Sequence, residues 1–567
     1  MRVSYNGNAN ISTFSATPAN LSPSNFRAAI SAKAPQEFDF LGDQSTDWVS
    51  EVIGNAWGTD HNLSVSGGSD KISYLLSGGY LKNDGVLNTS AHEATSLSAN
   101  ISTKLFNDQL LVNIKSKAGF TTDIFAPNVI GAALTFDPTR PVLDPDSKFG
   151  GYYQWADPLA VNNPVSTLNF NNQKGETVRT LNNLTLEYRL PFISGLSLHS
   201  NVSYDRTDGD RRNFRDPLLK DGDNFNRGGY LFLQDERLYA ALIESFGTWK
   251  ADIPGSNSSL ELTAGHSWQQ FDREYRWTQG FGLEQEGNDW IYTQDINADS
   301  FLVVNRLISF FGRLNYTHNN RYLLTASLRR DGSSRFGESN RWGLFPAVAV
   351  GWRILEEDFA RDWNNLFSNL KLRVSWGITG NENIGDFLYN TFYEYGTGDA
   401  TYQFGDEFVP TLRGRGVDPD IKWEQTTSLN VGIDFGFLNN RLSGSIEGYR
   451  KYTNDLLFTV AASAFTNLSD RILTNIGEME NIGVELQLDA VVIDQKNFSW
   501  DLGFNFAHNR NEIKKLDNST DPNFLGYEAG GISGDIGQTI QVLKVGESIE
   551  TFRTYKHILN ENGLPRP

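Results

Sequence analysis

The chain has 567 residues, a formal net charge of −19 and no cysteine. The missing cysteines exclude disulfides, thiolate metal sites and thiol nucleophiles, and the acidic balance disfavours a surface for nucleic acid. The sequence contains no run of eighteen apolar residues, so it predicts no membrane-spanning helix. Abundant glycine (52 residues) and aromatic residues (13%) favour long strands.

Strict alternation of apolar and polar residues predicts strands along the whole chain. The clearest run is 427–437, where Leu429, Val431 and Ile433 share one face and Asn430 and Asp434 share the other. These runs have about 9–13 residues, which suits a tilted bilayer crossing better than the roughly 5–6 residues of sandwich strands. In chain order the predicted strands begin near Arg2, His61, Lys71, Ser96, Leu110, Leu181, Leu196, Leu238, Ser259, Leu307, Tyr322, Phe345, Leu370, Thr427, Leu442, Ile482 and Phe498.

Short and long connections alternate along the chain between these predicted strands. The short ones fall at residues 67–70, 106–109, 191–195, 254–258, 318–321, 438–441 and 493–497. The long polar ones are 6–60, 83–95, 122–178, 206–236, 270–300, 381–425, 458–480 and 517–567. In outer-membrane barrels short turns face the periplasm and long loops face outward, so we expect these long segments to be extracellular. Short helices are predicted at residues 24–30 and 356–368.

The predicted fold is all-β, a transmembrane antiparallel β-barrel. The main alternative, a soluble sandwich or propeller, is disfavoured because the polar strand faces carry Lys371, Arg373 and Glu447, which suit a water-filled lumen. About seventeen strands are predicted. Because bacterial single-chain barrels have even strand numbers, we expect an incomplete, open barrel.

Several segments in series carry a family pattern. The densest is RYLLTASLRRDGSSRF at 321–336, followed by SWGITGN at 375–381 and NIGEMENIGVE at 475–485. Further segments lie at 61–81, 136–141, 162–166, 311–316, 340–353 and 423–426. Together they resemble the SusC/RagA family of TonB-dependent outer-membrane transporters of Bacteroidota.

The resemblance implies a barrel of about 22 strands with a plug domain inside it and a TonB box before the plug. It also implies a SusD/RagB-like surface lipoprotein over the outer mouth, and uptake of glycans or peptides energised by the TonB–ExbB–ExbD system. No plug-like segment precedes Arg2, and seventeen strands are fewer than the family's number. We therefore expect a barrel fragment that lacks the plug and the last strands.

Aromatic residues in the predicted outer loops are the candidate substrate contacts. Their rings could stack on sugars or peptide side chains, or could anchor the loops to one another or to a lid protein. The candidates are Tyr152, Tyr153, Trp155, Trp277, Trp290 and Tyr292.

Other candidate sites are weaker. Segment 321–336 is interpreted as a structural hairpin in preference to a charged segment of the lumen. Segment 221–228 resembles a calcium loop, but Phe225 stands at the third ligand position and the distal Glu is missing, so a solvated acidic loop is favoured there and for Asp205, Asp208 and Asp210.

The sequence predicts no cofactor, no metal site and no catalytic constellation. The leading function is active import across the outer membrane of a Gram-negative cell, with lipid around the barrel. The alternatives are a passive porin or adhesin-type barrel and, more remotely, an outer-membrane hydrolase. A plug domain encoded upstream would separate the importer from the porin.

Overall fold

The structure is a computed structural model. It describes residues 1–14, 21–157, 159–222, 224–287, 289–391, 393–395, 401–414, 416–461, 471–516, 525–531, 539–554, 556, 558–559 and 561. Strands dominate these residues. No helix among them is both long and apolar enough to cross a membrane.

The strands follow one another along the chain with few helices between them. They are β1 (Arg2–Ser12), β2 (Ala56–Gly68), β3 (Ile72–Asp84), β4 (Ala91–Leu105), β5 (Leu110–Phe125), β6 (Asn171–Arg189), β7 (Leu196–Arg215), β8 (Tyr230–Ile253), β9 (Ser258–Glu286), β10 (Asp289–His318), β11 (Tyr322–Ser333), β12 (Trp342–Arg353), β13 (Phe367–Asn381), β14 (Tyr393–Tyr395), β15 (Thr401–Phe404), β16 (Glu407–Pro410), β17 (Leu412–Gly414), β18 (Glu424–Phe437), β19 (Leu442–Ala461), β20 (Arg471–Gln495), β21 (Phe498–Lys515), β22 (Tyr527–Gly531), β23 (Thr539–Leu543) and β24 (Thr551–Phe552).

The helices are short and lie in the connections. The α-helices are α1 (Pro23–Lys33), α2 (Trp48–Val52), α3 (Ile130–Thr135) and α4 (Pro164–Phe170). The 3-10 helices are Pro35–Phe40, Ile354–Glu356 and Asp358–Asn365. The helix predicted at residues 24–30 is confirmed as α1, and the one predicted at 356–368 consists of 3-10 turns.

Within the described residues, seventeen strands (β1–β13 and β18–β21) form one large sheet, which confirms the predicted number. The short strands form three small sheets: β14 with β17, β15 with β16, and β22 to β24. By contact, the chain divides into two compact units. Unit 1 is Met1–Tyr188, His199–Ile243 and Gln269–Val304, and unit 2 is Arg189–Leu198, Glu244–Trp268 and Asn305–Pro567.

Antiparallel pairing between consecutive strands builds each unit. In unit 1, β1 to β6 pair in sequence, for example Arg2 with Ser66 and Leu110 with Tyr188. In unit 2 the same holds from β10 to β13 and from β18 to β21, and β13 pairs with β18. Tight turns make this possible: Leu438, Asn439 and Asn440 take φ values of 53°, 55° and 62°, and asparagine tolerates this left-handed region better than most residues.

Two segments that were predicted to be long loops consist largely of strands. Residues 206–236 and 270–300 were expected to be loops, but β7 continues to Arg215, β8 begins at Tyr230, and β9 and β10 meet in a hairpin whose strands end at Glu286 and begin again at Asp289. Alternation of apolar with polar residues ends where lipid contact ends, whereas backbone pairing continues beyond it. The pattern therefore underestimates strand length at that end.

The two faces of the sheet in unit 2 differ as predicted. Leu429, Val431 and Ile433 are 44%, 45% and 42% exposed on one face of β18. On the opposite face Arg373 pairs with Asp434 at 2.9 Å and with Glu447 at 3.3 Å. Exposed apolar side chains on one face and ion-paired charges on the other are the arrangement that a membrane barrel strand needs.

Candidate functional site

A small hydrophobic cluster forms where the loops after β1 and β5 meet in unit 1; we call it the loop cluster. Its buried members are Trp48, Val49 and Val52 of α2, Ala133 of α3, Leu168 of α4, and Val129 and Phe136. The indole Nε1 of Trp48 donates to the carbonyl oxygen of Asp137 at 2.9 Å. Burial of these apolar side chains holds α2, α3 and α4 together outside the large sheet.

Asn163 fixes the start of α4 in the loop cluster. Its side-chain oxygen accepts from the backbone N–H groups of Val165 (3.0 Å) and Ser166 (3.2 Å), which is a helix N-cap. Its Nδ2 donates to the carbonyls of Val142 (2.9 Å) and Tyr153 (3.1 Å). One buried amide therefore ties α4 to two neighbouring loop segments.

Three of the six predicted aromatic residues contact this region. The ring centroids of Tyr153 and Trp155 lie 6.4 and 6.3 Å from that of Phe136. The guanidinium of Arg140 lies 5.3 Å from the Tyr153 ring and 4.8 Å from the Trp155 ring. Burial raises the pKa of the Tyr153 hydroxyl, and the nearby Arg140 partly offsets this.

Tyr152 lies next to the loop cluster. Its ring contacts Phe170 edge-on at 5.3 Å, and its hydroxyl accepts from Asn169 Nδ2 at 2.8 Å. The rings of Tyr152, Tyr153 and Trp155 thus have partners within the protein, and each remains half-buried.

The other three predicted residues lie on the β9–β10 hairpin. Trp277 stacks on Phe232 at 6.1 Å with planes 26° apart, and Trp290 contacts Phe214 at 5.4 Å. The Tyr292 ring covers Gly280 so closely that a Cβ at that position would lie 2.7 Å from it. The six residues therefore form two groups, and no ring contact between the groups is found within the described ranges.

Ion pairs link β6 to β9 in unit 1, and Arg237 of β8 lies between Asp208 (3.7 Å) and Glu274 of β9 (3.6 Å). Asp205 pairs with Arg179 at 2.6 Å, and Asp208 pairs with Arg206 at 2.8 Å. The prediction that Asp205, Asp208 and Asp210 lie in a loop is wrong, because all three lie on β7. Arg206 and Asp208 carry opposite charges two residues apart, on one face of the strand. This spacing was a sequence signal that could have indicated strand β7.

A second hydrophobic cluster in unit 2 was missed by sequence reasoning. It consists of Phe336, Phe345, Ile421 and Trp423, all buried. Trp423 Nε1 donates to the Arg341 carbonyl at 3.1 Å. Phe336, the last residue of segment 321–336, is buried in this cluster. This supports the interpretation of the segment as a structural hairpin.

A charged group surrounds this second cluster. Arg335 pairs with Asp386 at 3.0 Å and donates to the Glu382 carbonyl at 3.0 Å. The Glu382 carboxyl has one oxygen, Oε2, with no hydrogen-bond partner. Burial raises the pKa of this carboxyl, against the opposing effects of a hydrogen bond with Ser333 and the charge of Arg335.

The segment that resembles a calcium loop has its own partners. Asp221 pairs with Arg215 at 2.9 Å, and Asn224 Nδ2 donates to the carbonyls of Asp216 and Leu219. Asp223 lies outside the described residues. Among the residues that are described, no group of three or more His, Asp or Glu side chains could hold a metal ion.

Known proteins similar to this chain are outer-membrane receptors. A family model described as "TonB dependent receptor-like, beta-barrel" matches residues 115–538. The chain is similar to the TonB-dependent receptor SusC of Bacteroides thetaiotaomicron, with 35% identity over 99% of this chain and 58% of SusC. It is also similar to TonB-dependent receptor P3 of Formosa agariphila, with 28% identity over 91% of this chain and 51% of that protein.

Solved structures show the same fold. The RagAB peptide importer in its closed-closed state aligns with a TM-score of 0.77 at 20% identity, over 100% of this chain and 67% of that chain. Its open-open state aligns with a TM-score of 0.75 at 21% identity, over 96% and 63%. The chain spans between half and three fifths of the length of SusC and of receptor P3.

These matches confirm the SusC/RagA resemblance and the outer-membrane location, and the matched proteins are receptors, not enzymes. The chain belongs to the TonB-dependent receptor family, within its β-barrel domain.

Proposed function

We propose that this chain forms part of the β-barrel wall of a TonB-dependent importer, which takes up oligosaccharides or peptides across the outer membrane. The observation that carries the proposal is the two-faced sheet of β13, β18 and β19, with exposed apolar side chains on one face and the Arg373–Asp434 and Arg373–Glu447 pairs on the other. Such strands place lipid on one side and a hydrated path for polar cargo on the other.

The partners follow from the family. A SusD/RagB-like surface lipoprotein would cover the outer mouth, and the TonB–ExbB–ExbD system would supply energy. Membership in the receptor family and the similarity to SusC support this assignment. The fold shared with the RagAB peptide importer leaves peptides as well as glycans as candidate cargo.

Among the six candidate aromatics, we propose Trp277, Trp290 and Tyr292 as the first to test for cargo contact. Each lies on the β9–β10 hairpin and is half-buried: Trp277 packs against Phe232 of β8, Trp290 against Phe214 of β7, and Tyr292 against Gly280 of β9. Part of each ring is left open for stacking. Tyr152, Tyr153 and Trp155 are proposed mainly as framework residues that hold the loop cluster, with a secondary role in contact.

A growth experiment tests the function. A strain lacking the full-length gene would be grown on a panel of single oligosaccharides and peptides, with complementation by the wild-type gene. We expect loss of growth on one substrate class, and the same loss in a strain lacking TonB. Uptake that depends on the gene and persists without TonB would establish the passive porin instead.

A second experiment tests the residues. Trp277→Ala and Trp290→Ala in the full-length protein should weaken cargo binding by roughly 1–3 kcal/mol each, the order seen when a ring that stacks on a ligand is removed. Phe192→Ala is the matched control, because Phe192 is 75% exposed in the β6–β7 turn. Unchanged binding in both tryptophan variants would remove the hairpin from the site.

A further inference from the structure

An apolar groove of about 760 Å³ crosses the exposed apolar face of unit 2. Its volume is within the range of about 300–1,000 Å³ typical of small-molecule sites. Five consecutive strands, β8 to β12, each give one small or flat residue to the floor: Gly247, Ala264, Gly312, Ala326 and Pro346. Larger apolar side chains form the rim: Leu196, Trp249, Leu262, Leu314 and Leu328.

One end of the groove leads to an arginine. Ala326, Leu328 and Arg330 are alternate residues of β11 and so share its exposed face. Arg330 is paired in register with Phe310 of β10, and its guanidinium lies 4.9 Å from the Trp342 ring. The rings of Phe310 and Trp342 are 53% and 42% exposed and lie 6.4 Å apart, with planes 27° from parallel.

The charge of Arg330 is not balanced within the part of the chain that the structure describes, where no ion pair or side-chain hydrogen bond to it is found. Arg329, its neighbour on the opposite face, shows the contrast, because it pairs with Asp331 at 2.7 Å. A guanidinium carries five donors in a planar fork that fits a phosphate group. The Trp342 ring, 4.9 Å away, holds this one by a cation–π contact.

We propose that this groove binds one phosphorylated lipid, with an acyl chain over the floor and the phosphate on Arg330. The exposed apolar face lies in a membrane, so the molecules that surround the groove are lipids. An open groove floored by glycine, alanine and proline has no bulky side chain along its floor, which fits an extended polymethylene chain. Arginine and aromatic side chains at the end of an apolar band are where lipid headgroups lie.

Native mass spectrometry of the full-length protein, purified in mild detergent, tests the site. Three probes separate the two halves of the ligand: phosphatidic acid has chains and phosphate, diacylglycerol has the same chains alone, and glycerol 3-phosphate has the phosphate alone. We expect wild-type protein to retain one phosphatidic acid and to bind the other two far more weakly.

Two variants test the two parts of the site separately, the phosphate contact and the floor of the groove. Arg330→Gln removes the charge and should weaken phosphatidic acid binding at least about tenfold, as expected for a lost charge-assisted hydrogen bond. Gly312→Leu fills the floor, where a Cβ meets no atom closer than 3.8 Å, and should weaken binding to a similar degree. Because Arg330 is exposed, its variant remains informative if Gly312→Leu fails to fold.

Each variant has a matched control. Arg361→Gln alters another exposed arginine, paired with Asp358 in a 3-10 helix. Gly448→Leu adds a leucine at β19 where a Cβ meets nothing within 4 Å, opposite Val431 of the exposed apolar face. Both controls should bind lipid as the wild type does. Equal binding in all variants, equal retention of diacylglycerol, or a change of oligomeric state in Gly312→Leu without loss of lipid would each overturn the proposal.

Discussion

Arg140 joins the end of the 3-10 helix Pro35–Phe40 to the connection between β5 and β6, next to the loop cluster. Its guanidinium lies beside the Tyr153 and Trp155 rings, pairs with Asp137 at 3.4 Å and also donates to the Phe40 carbonyl. A cation held over an aromatic ring contributes about 0.5–2 kcal/mol. The arrangement joins residues about 100 positions apart, which no local pattern in the sequence reports.

Removing the Arg140 charge should therefore loosen the loop cluster. We expect Arg140→Met, which keeps much of the length and apolar surface, to lower local stability by about 0.5–2 kcal/mol. Hydrogen exchange of the amides at residues 137–155 measures this. Arg361→Met is the control, because its exposed pair with Asp358 should contribute close to nothing. Equal exchange in the two variants would show that the contacts with Tyr153 and Trp155 are not stabilising.

Glu382 should make the loop after β13 sensitive to pH. Burial raises the pKa of its carboxyl, so the folded loop binds a proton more readily than the unfolded chain. Its contribution to stability is therefore most favourable at acidic pH and declines as pH rises from about 4.3, the ordinary glutamate value, through the raised pKa.

The variant Glu382→Gln removes this titration. Protease cleavage of the loop at residues 381–391, followed from pH 4 to pH 8 (values chosen around the ordinary pKa of about 4.3), should become faster with rising pH in the wild type and stay level in the variant. Asp386→Asn is an informative comparison, because it removes the ion pair with Arg335 and leaves the Glu382 carboxyl in place. A wild-type profile without slope would contradict the prediction.

At the scale of elements, alternation locates one end of each strand better than the other. Strands that leave a tight turn begin within three residues of the predicted start, as at Leu110, Leu196, Leu442 and Phe498. Strands that return from a long connection begin earlier than predicted: β10 begins at Asp289, where Leu307 was expected. Tight turns leave a local signature in asparagine, glycine and proline, whereas the free ends of long hairpins extend without one.

Alternation of apolar and polar residues could not predict the two hydrophobic clusters, for a different physical reason. The loop cluster joins Trp48 to Phe136 and Leu168, and the second cluster joins Phe336 to Trp423. Each contact closes a loop of about 80 residues or more, so neighbouring residues carry no periodicity that reports it. The faces of β18 could be predicted because each side chain's environment follows from its parity alone.

That parity gives a prediction for β18 and β19. Val431→Arg places a charge on the exposed apolar face and should destabilise the barrel by about 2–4 kcal/mol if the position lies near the middle of the bilayer. Ser445→Arg is the control, because Ser445 is paired in register with Asp434 on the polar face. Folding of the full-length protein into lipid vesicles, followed by denaturant titration, gives both values. A similar cost for both variants would contradict the assignment of the faces.

At the scale of the whole molecule, the absence of cysteine from these 567 residues allows cysteine labelling to test the orientation of the barrel. The seven short turns predicted from the sequence join the same ends of neighbouring antiparallel strands, so all seven are expected on the periplasmic side. The connections at the opposite ends, including the β9–β10 hairpin, are expected outside. Ser194 lies in the turn between β6 and β7, and Asp406 lies between β15 and β16 in a long connection; both are exposed.

Single substitutions Ser194→Cys and Asp406→Cys in the full-length protein therefore report opposite sides. A membrane-impermeant maleimide added to intact cells should label the Asp406 variant and leave the Ser194 variant unlabelled until the outer membrane is permeabilised. The parent protein without either substitution gives the background. Labelling of Ser194→Cys in intact cells would reverse the orientation, and with it the assignment of the β9–β10 hairpin and its aromatic residues to the side from which cargo arrives.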